Sequence, residues 1–305
     1  MRVFLTGATG FVGSHLLARL LTDGHIVRAL VRGRGLLRTA EAPTGRLEEV
    51  QDDINSANLG KRLSRCEAVI NLAGIIYERG GDTFERVHHQ GTRNLVAAAR
   101  QNGVKRFVQM SALGARPVNA SAYHTSKFAG EEEVRNSGIP YVVLRPSLIV
   151  GPGSAFVKQM SEVMRAAPLI RPVPGTGKYR FRPVHVDDVV KCFAQSLTNP
   201  AAAGQTVDLV GGEELTLDDM GNELAACLGI NKSAIHVPMP VMKAAAGFFS
   251  WLPIKPPVTL VQLRMLEEGS TADSAPMKSI FGMEPIGFRD AMRRDLSSAH
   301  SQRRQ

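Results

Sequence analysis

The ten residues TGATGFVGSH at positions 6–15 constrain this chain more than any other stretch. They follow a short apolar run, RVFLT, that reads as a strand, and they open FVGSHLLARLLTD, which has the 3.6-residue period of a helix packed on a sheet. Gly7, Gly10 and Gly13 stand in the order G-x-x-G-x-x-G. Glycine at such places allows a tight turn, a backbone that can approach a pyrophosphate, and close packing of helix on strand. The amino terminus of the helix then faces the anion with roughly half a positive charge. A glycine trio alone is weak evidence; between a strand and a helix it points to a dinucleotide site.

The rest of the first half repeats the strand-then-helix theme. IVRALV (26–31), a weaker RLEEVQ (46–51), EAVINLA (67–73), RFVQMS (106–111) and YVVLR (141–145) read as strands. Helical patterns lie between most of them, notably Thr92–Gln101 and Ala122–Asn136. Such alternation predicts a Rossmann-type, doubly wound α/β fold with a parallel sheet covered on both faces. After about residue 150 the pattern loosens into Gly/Pro-rich loops, followed by DDVVKCFAQSL (187–197), a helix with an acidic first turn. QTVDLVG, LTLDDMGNELAACLG and IHVPMP then read as strand, helix and strand. The expected division is a nucleotide-binding core over 1–150 and a C-terminal region over 151–305. Part of that region, about 183–210, returns to the core, and the remainder forms a smaller substrate lobe over the carboxyl ends of the strands.

Composition narrows the partners. At 305 residues and 44% hydrophobic, without low-complexity sequence, the chain is expected to be globular. No apolar run reaches the roughly 18–20 residues of a membrane span, and the first ten residues lack a signal-peptide layout. The net charge of +9 attracts anions, but no zinc-finger spacing or helix-turn-helix pattern points to nucleic acid. Cys66, Cys192 and Cys227 are scattered without metal-ligand spacing, which fits a reducing, cytoplasmic setting. Peripheral membrane association is a weaker idea, motivated by the positive charge and the apolar stretch AAAGFFSWLPIKPPV, which core packing also explains.

More of the chain resembles the short-chain dehydrogenase/reductase superfamily, in its extended or atypical form, in the order that family requires. DDI at 52–54 is similar to the adenine-side segment, with Asp53 and Ile54 as contacts. NLAG at 71–74 resembles the loop after the fourth strand, with Leu72, Ala73 and Gly74 lining the ribose. QGTRNLVAAA, RPSLIVGPG and PVHVDDVV match further family blocks, and RPSLIVGPG places Pro146 and Ser147 beside the nicotinamide. The same resemblance adds Thr9, Phe11 and Val12 to the glycines of the first turn. VRALVR and PVHVDDVV look closest to the atypical group that includes the nucleotide-binding accessory subunit of respiratory complex I. Association with such a complex is therefore one implied partnership; a small-molecule substrate is the other.

The resemblance gives the segment YHTSK a role: Tyr123 as proton donor or acceptor to a substrate oxygen, and Lys127 as holder of the nicotinamide ribose. Positions i and i+4 share one helix face, and a nearby ammonium is expected to lower the phenol pKa. Ser111, at the end of its strand, either hydrogen-bonds a substrate carbonyl or caps the strand end. His88 stands where the family usually has Asn, which puts a complete proton relay in doubt, and the divergent directions of His88 and His89 argue against a metal site. Tyr77, in the glycine-containing loop IIYERGGD that reads as a candidate lid, and His185 are substrate candidates. For His185, Asp187 and Asp188 the structural alternative is a helix start with its acidic first turn.

At the end of the second strand a carboxylate is absent, since Val31 stands there, and Arg32 and Arg34 follow. A guanidinium can grip a 2′-phosphate that a carboxylate would repel, so NADP(H) is expected over NAD(H); the alternative is a solvated basic loop. Two functions stay open. One is an NADP(H)-preferring oxidoreductase, or a related epimerase or dehydratase, acting on a carbonyl, quinone-like or nucleotide-sugar-like substrate. The other is a non-catalytic NAD(P)H-binding structural or regulatory protein.

Overall fold

The computed structural model describes residues 1–33, 37, 45–118, 121–166, 169–249 and 258–302. The chain divides into two compact units. The first comprises Met1–Pro146, Asp187–Leu209 and Ala275–Met283; the second comprises Ser147–Val186, Val210–Ser274 and Glu284–Gln305.

The first unit is a seven-stranded parallel sheet flanked by helices, a Rossmann-like α/β fold. Its strands are β1 (Arg2–Thr6), β2 (Ile26–Val31), β3 (Leu47–Gln51), β4 (Ala68–Asn71), β5 (Arg106–Met110), β6 (Tyr141–Pro146) and a last strand, Gln205–Leu209. From one edge to the other the order is Gln205–Leu209, β6, β5, β4, β1, β2, β3. The short apolar runs form strands because a parallel sheet covered on both faces buries consecutive residues: all four of β4 are buried. Even the weak RLEEVQ run pairs in register, Val27 opposite Leu47 through Val31 opposite Gln51.

Helix α1 (Phe11–Thr22) buries Val12, Gly13, Leu16, Leu17, Leu20 and Leu21, one stripe at the helical period. Leu16 and Leu20 are fully buried, and each such side chain contributes about 1.5–3 kcal/mol relative to exposure. On the other side Phe4, Leu63, Val69, Leu95, Phe107 and Val134 share a cluster with α2 (Leu59–Arg62), α3 (Gly91–Gln101) and α4 (Ala122–Arg135). The helical pattern read from Thr92 begins earlier in the structure: a π-helical turn, Glu85–Gln90, runs directly into α3. Strand order reverses between β1 and β4, so the connections that follow them lead to opposite faces of the sheet, the arrangement that gives open α/β sheets their ligand-binding crevice.

The second unit holds three two-stranded pairings: Ile149–Val150 with Val184–His185, Arg180–Phe181 with Leu215–Thr216, and Ile170–Pro174 with Ser233–Val237. The run IHVPMP is not strand throughout, because pairing ends at Val237 and a helix starts at Met239. Helices Leu217–Cys227 and Leu260–Glu268 begin with capping boxes at Thr216 and Thr259. Val150, Val173, Phe181, Leu215, Met220 and Phe288 form its core. No helix among the described residues is long and apolar enough to cross a membrane.

Candidate functional site

The turn between β1 and α1 is built from backbone. Gly7 adopts φ +71°, and a Cβ there would stand 2.8 Å from the Leu72 carbonyl carbon. The turn and the loop after β4 thus meet backbone to backbone, and only glycine fits. A Cβ at Gly13 would overlap the Gly7 carbonyl oxygen, so α1 lies hard against the turn. Gly10 is the N-cap and has no side chain with which to cap α1, which leaves the first-turn N–H groups for an anion. Thr9 and Gly10 are exposed, Phe11 is half-buried and packs edge-on against His15, and Val12 is buried beneath.

Under this turn lies a polar network that periodicity did not disclose. Thr6 Oγ1 donates to Asn71 Oδ1 (2.6 Å), and Asn71 Nδ2 donates to Gln109 Oε1 (2.9 Å) and to Thr92 Oγ1 (3.2 Å). Thr6 also accepts from the Ala73 N–H (3.2 Å), which fixes the loop carrying Leu72, Ala73 and Gly74. All four side chains are buried and mutually satisfied, so the carboxyl ends of β1, β4 and β5 are tied together. The available signal was a polar residue at or near the end of an otherwise apolar strand.

Of the residues expected on the adenine side, Asp53 Oδ1 accepts from the Asn55 N–H and lies 3.9 Å from Arg86 Nη2. Ile54 is buried against Gly91, where a Cβ would stand 2.8 Å from it. Arg32 follows β2 directly and its Nη1 lies 2.6 Å from Asp82 Oδ2, so the expected phosphate-binding guanidinium has an acidic partner. Arg34 lies outside the described residues.

Helix α4 carries Tyr123 and Lys127. Ser121 is its N-cap residue, and Tyr123 and Lys127 are 9% and 5% exposed on its inner face. Tyr123 packs edge-on against Phe84, His88 and His124. Burial pushes its phenol up to about 12, opposite to the lowering expected from Lys127. Burial pushes Lys127 down to about 8, with Glu131, one turn on, opposing the shift. Lys127 Nζ donates to the Met110 carbonyl at 3.3 Å. A Cβ on Gly74 would lie 2.9 Å from that nitrogen, so the NLAG glycine is the residue that admits the ammonium.

His88, in the π-helical turn, is fully engaged. Its Nε2 accepts from the Ile75 N–H at 3.0 Å, and its Nδ1 lies 2.9 Å from Ser126 Oγ. Since Ser126 donates its own proton to the Tyr123 carbonyl, the pattern assigns the imidazole proton to Nδ1. Burial, then the charge of Lys127, pushes His88 down to about 2, so it is a neutral strut for the 74–75 turn. His89 bonds Glu85 and Glu133 instead. Among the described residues no group of three or more His, Cys, Asp or Glu is placed to hold a metal.

Ser111 is 2% exposed and its hydroxyl has no hydrogen-bond partner among the described residues. A buried, unpartnered hydroxyl costs about 1–3 kcal/mol, so an arriving oxygen would be well received there. Pro146 ends β6 and accepts from the Leu113 N–H. Tyr77 is 37% exposed, in a segment closed by the paired backbones of Arg79 and Asp82. In the second unit, the Ser147 hydroxyl lies within hydrogen-bond reach of the Ser270 carbonyl and hydroxyl, and the buried His185 ring sits 3.0 Å from Asp295 and against Arg294. Asp187 and Asp188 occupy the first turn of helix Val186–Gln195. Glu131, which the sequence did not single out, is fully buried with bidentate Arg145 and with Arg135 around it.

Fold and site together define a nucleotide-binding α/β protein of the dehydrogenase type. The chain belongs to the NAD dependent epimerase/dehydratase family, whose sequence profile matches residues 3–210. A ceramide reductase of Caulobacter vibrioides is 30% identical over 284 residues, 90% of this chain and 87% of that one. The mitochondrial NADH dehydrogenase [ubiquinone] 1 alpha subcomplex subunit 9 of Arabidopsis thaliana is 28% identical over 79% of this chain and 61% of its own length. Among solved structures, UDP-glucuronic acid 4-epimerase from Bacillus cereus, in complex with UDP-glucuronic acid and NAD, superposes with a TM-score of 0.76 at 20% identity. That match covers 99% of this chain and all of the other, and it concerns the fold alone.

Proposed function

We propose that this protein is an NADP(H)-preferring oxidoreductase that transfers hydride to or from a carbonyl, quinone-like or nucleotide-sugar-like substrate. The observation that carries the reading is the convergence of buried Tyr123 and Lys127 on one face of α4, with Lys127 Nζ against Gly74. A bound nicotinamide would supply or accept the hydride. The glycine turn would hold its pyrophosphate, and Lys127 its ribose hydroxyls. Tyr123, protonated at neutral pH, is suited to give its proton to the substrate oxygen, and Ser111 Oγ to hydrogen-bond the same oxygen. Arg32 and the absence of a carboxylate at Val31 support NADP(H), since a charge-assisted hydrogen bond contributes about 1.5–3 kcal/mol, roughly ten- to a hundredfold in affinity. A cytoplasmic location is consistent with buried Cys66 and Cys192 and half-buried Cys227 as free thiols.

A second reading, a non-catalytic NAD(P)H-binding subunit, is favoured by His88, whose two ring nitrogens are both committed where a relay needs a free one. Incubation with NADPH and a panel of quinones, aldehydes and long-chain ketones, followed by the absorbance of the reduced cofactor, separates the two. Turnover that vanishes in Tyr123→Phe supports the enzyme. Cofactor binding with no turnover across the panel overturns it in favour of the binding role.

A further inference from the structure

The Arg32–Asp82 ion pair joins two segments fifty positions apart in sequence, the end of β2 and the loop after β4. Asp82 is held in place by its own hairpin. Its N–H donates to the Arg79 carbonyl, the Arg79 N–H donates back, both at 3.1 Å, and Gly80 takes φ +59°. Glu78 Oε1 then accepts from the Phe84 N–H at 2.8 Å, anchoring the far side of the hairpin. The carboxylate is thus presented to Arg32 by ordered backbone. Arg86 reaches the Gly81 carbonyl at 3.4 Å and Asp53 at 3.9 Å, and the Asp53 charge also acts on Arg32.

We infer that Asp82 is a specificity-determining residue of the nucleotide site: it holds the Arg32 guanidinium until a phosphate monoester on the adenosine ribose displaces it. The inference rests on the NADP(H) reading above. A ribose hydroxyl is neutral and offers the guanidinium nothing to replace a carboxylate. A phosphate carries about −1.5 to −2 charge at pH 7 and three acceptor oxygens, so it competes successfully. The Arg32 side chain is 67% exposed, so exchanging one anion for the other requires no burial of charge. Asp82 therefore lowers the affinity for NADP(H) below what Arg32 alone would give, and it leaves NAD(H) unaffected.

The test is calorimetric titration of NADPH and NADH into the wild type, Asp82→Asn, Arg32→Ala and the double variant, with Asp82→Ser as a second removal of the carboxylate. Asp82→Asn and Asp82→Ser are expected to tighten NADPH by about threefold, about 0.7 kcal/mol, and to leave NADH unchanged. In the Arg32→Ala background the same change should have no effect. Equal tightening of both cofactors, or weaker NADH binding in Asp82→Asn, overturns the inference, the latter by making Asp82 a ribose acceptor. If Arg32→Ala weakens NADPH while removal of the carboxylate does nothing, the NADP(H) reading stands and the role of Asp82 falls. If Arg32→Ala leaves NADPH affinity intact, the NADP(H) reading itself fails, and the inference with it.

Discussion

The glycine turn and the inner face of α4 sit at carboxyl ends of the same sheet and are made of different materials. The turn offers backbone N–H groups and the helix dipole, with no titratable side chain of its own. The α4 face offers Tyr123 and Lys127, both buried, each driven by desolvation toward its uncharged form. A backbone site keeps its electrostatics at any pH but tolerates no added atom. A buried side-chain site tolerates modest changes of shape, yet its charge depends on pH and on neighbours such as Glu131. The two regions should therefore fail in different ways.

The broadest expected effect is steric, because it reaches both folding and binding. Gly13→Val would drive a side chain into the Gly7 carbonyl, and nucleotide affinity should fall by at least about a hundredfold, with a lowered thermal midpoint. A variant that binds as the wild type does would break the comparison at its backbone end. Tyr123→Phe comes next. Turnover should drop by about 10²–10⁴-fold while cofactor affinity, measured by titration, stays near that of the wild type. An equal loss of binding would make Tyr123 a packing residue.

Lys127 sharpens the comparison through pH. Its folded-state pKa, about 8, lies below the ordinary 10.5, so its charge is present below pH 8 and lost above it. Cofactor affinity should decline as pH rises past 8, and Lys127→Met should remove that step. The linkage runs the other way for stability: between about pH 8 and 10.5 the unfolded chain binds more protons, so burial of Lys127 costs less as pH rises. Relative to Lys127→Met, the wild type should therefore gain stability over the window in which it loses cofactor. A parallel decline of both would refute the assigned charge.

The smallest effect concerns His88. Held near 2 in the fold against an ordinary 6.5, it stays neutral while the unfolded chain takes up its proton. The stability this contributes is present above about pH 6.5 and is lost as pH falls, by about 1 kcal/mol per unit. His88→Asn should flatten acid unfolding between pH 6 and 4, followed by denaturant titration at each pH; an unchanged acid limb would show that His88 is not the group responsible.

Much of the architecture was legible because its signals are local. The Gly7–Gly10–Gly13 spacing, the buried stripe of α1 and the apolar runs of β1, β2, β4, β5 and β6 each depend on residues within one or two turns or strands. The start of the helix at the π turn was not legible, since Glu85–Gln90 differs from ordinary helix only by how its carbonyls are shared. Nor was the hydrogen-bond chain through Thr6, Asn71, Thr92 and Gln109, whose members come from three strands and a helix.

The sequence by itself determined the sheet-and-helix class, the place of the glycine turn and the spacing that puts Tyr123 and Lys127 on one face. Those follow from periodicity and from the steric demands of glycine, which act over a few residues. Only the tertiary structure decided the charge states and the partnerships: a Tyr123 pushed up where lowering was expected, a Lys127 admitted by Gly74, a His88 spent as a strut, an Arg32 held by Asp82. Desolvation and ion pairing depend on what the fold brings within a few ångströms, and for these groups the deciding neighbours are distant in sequence.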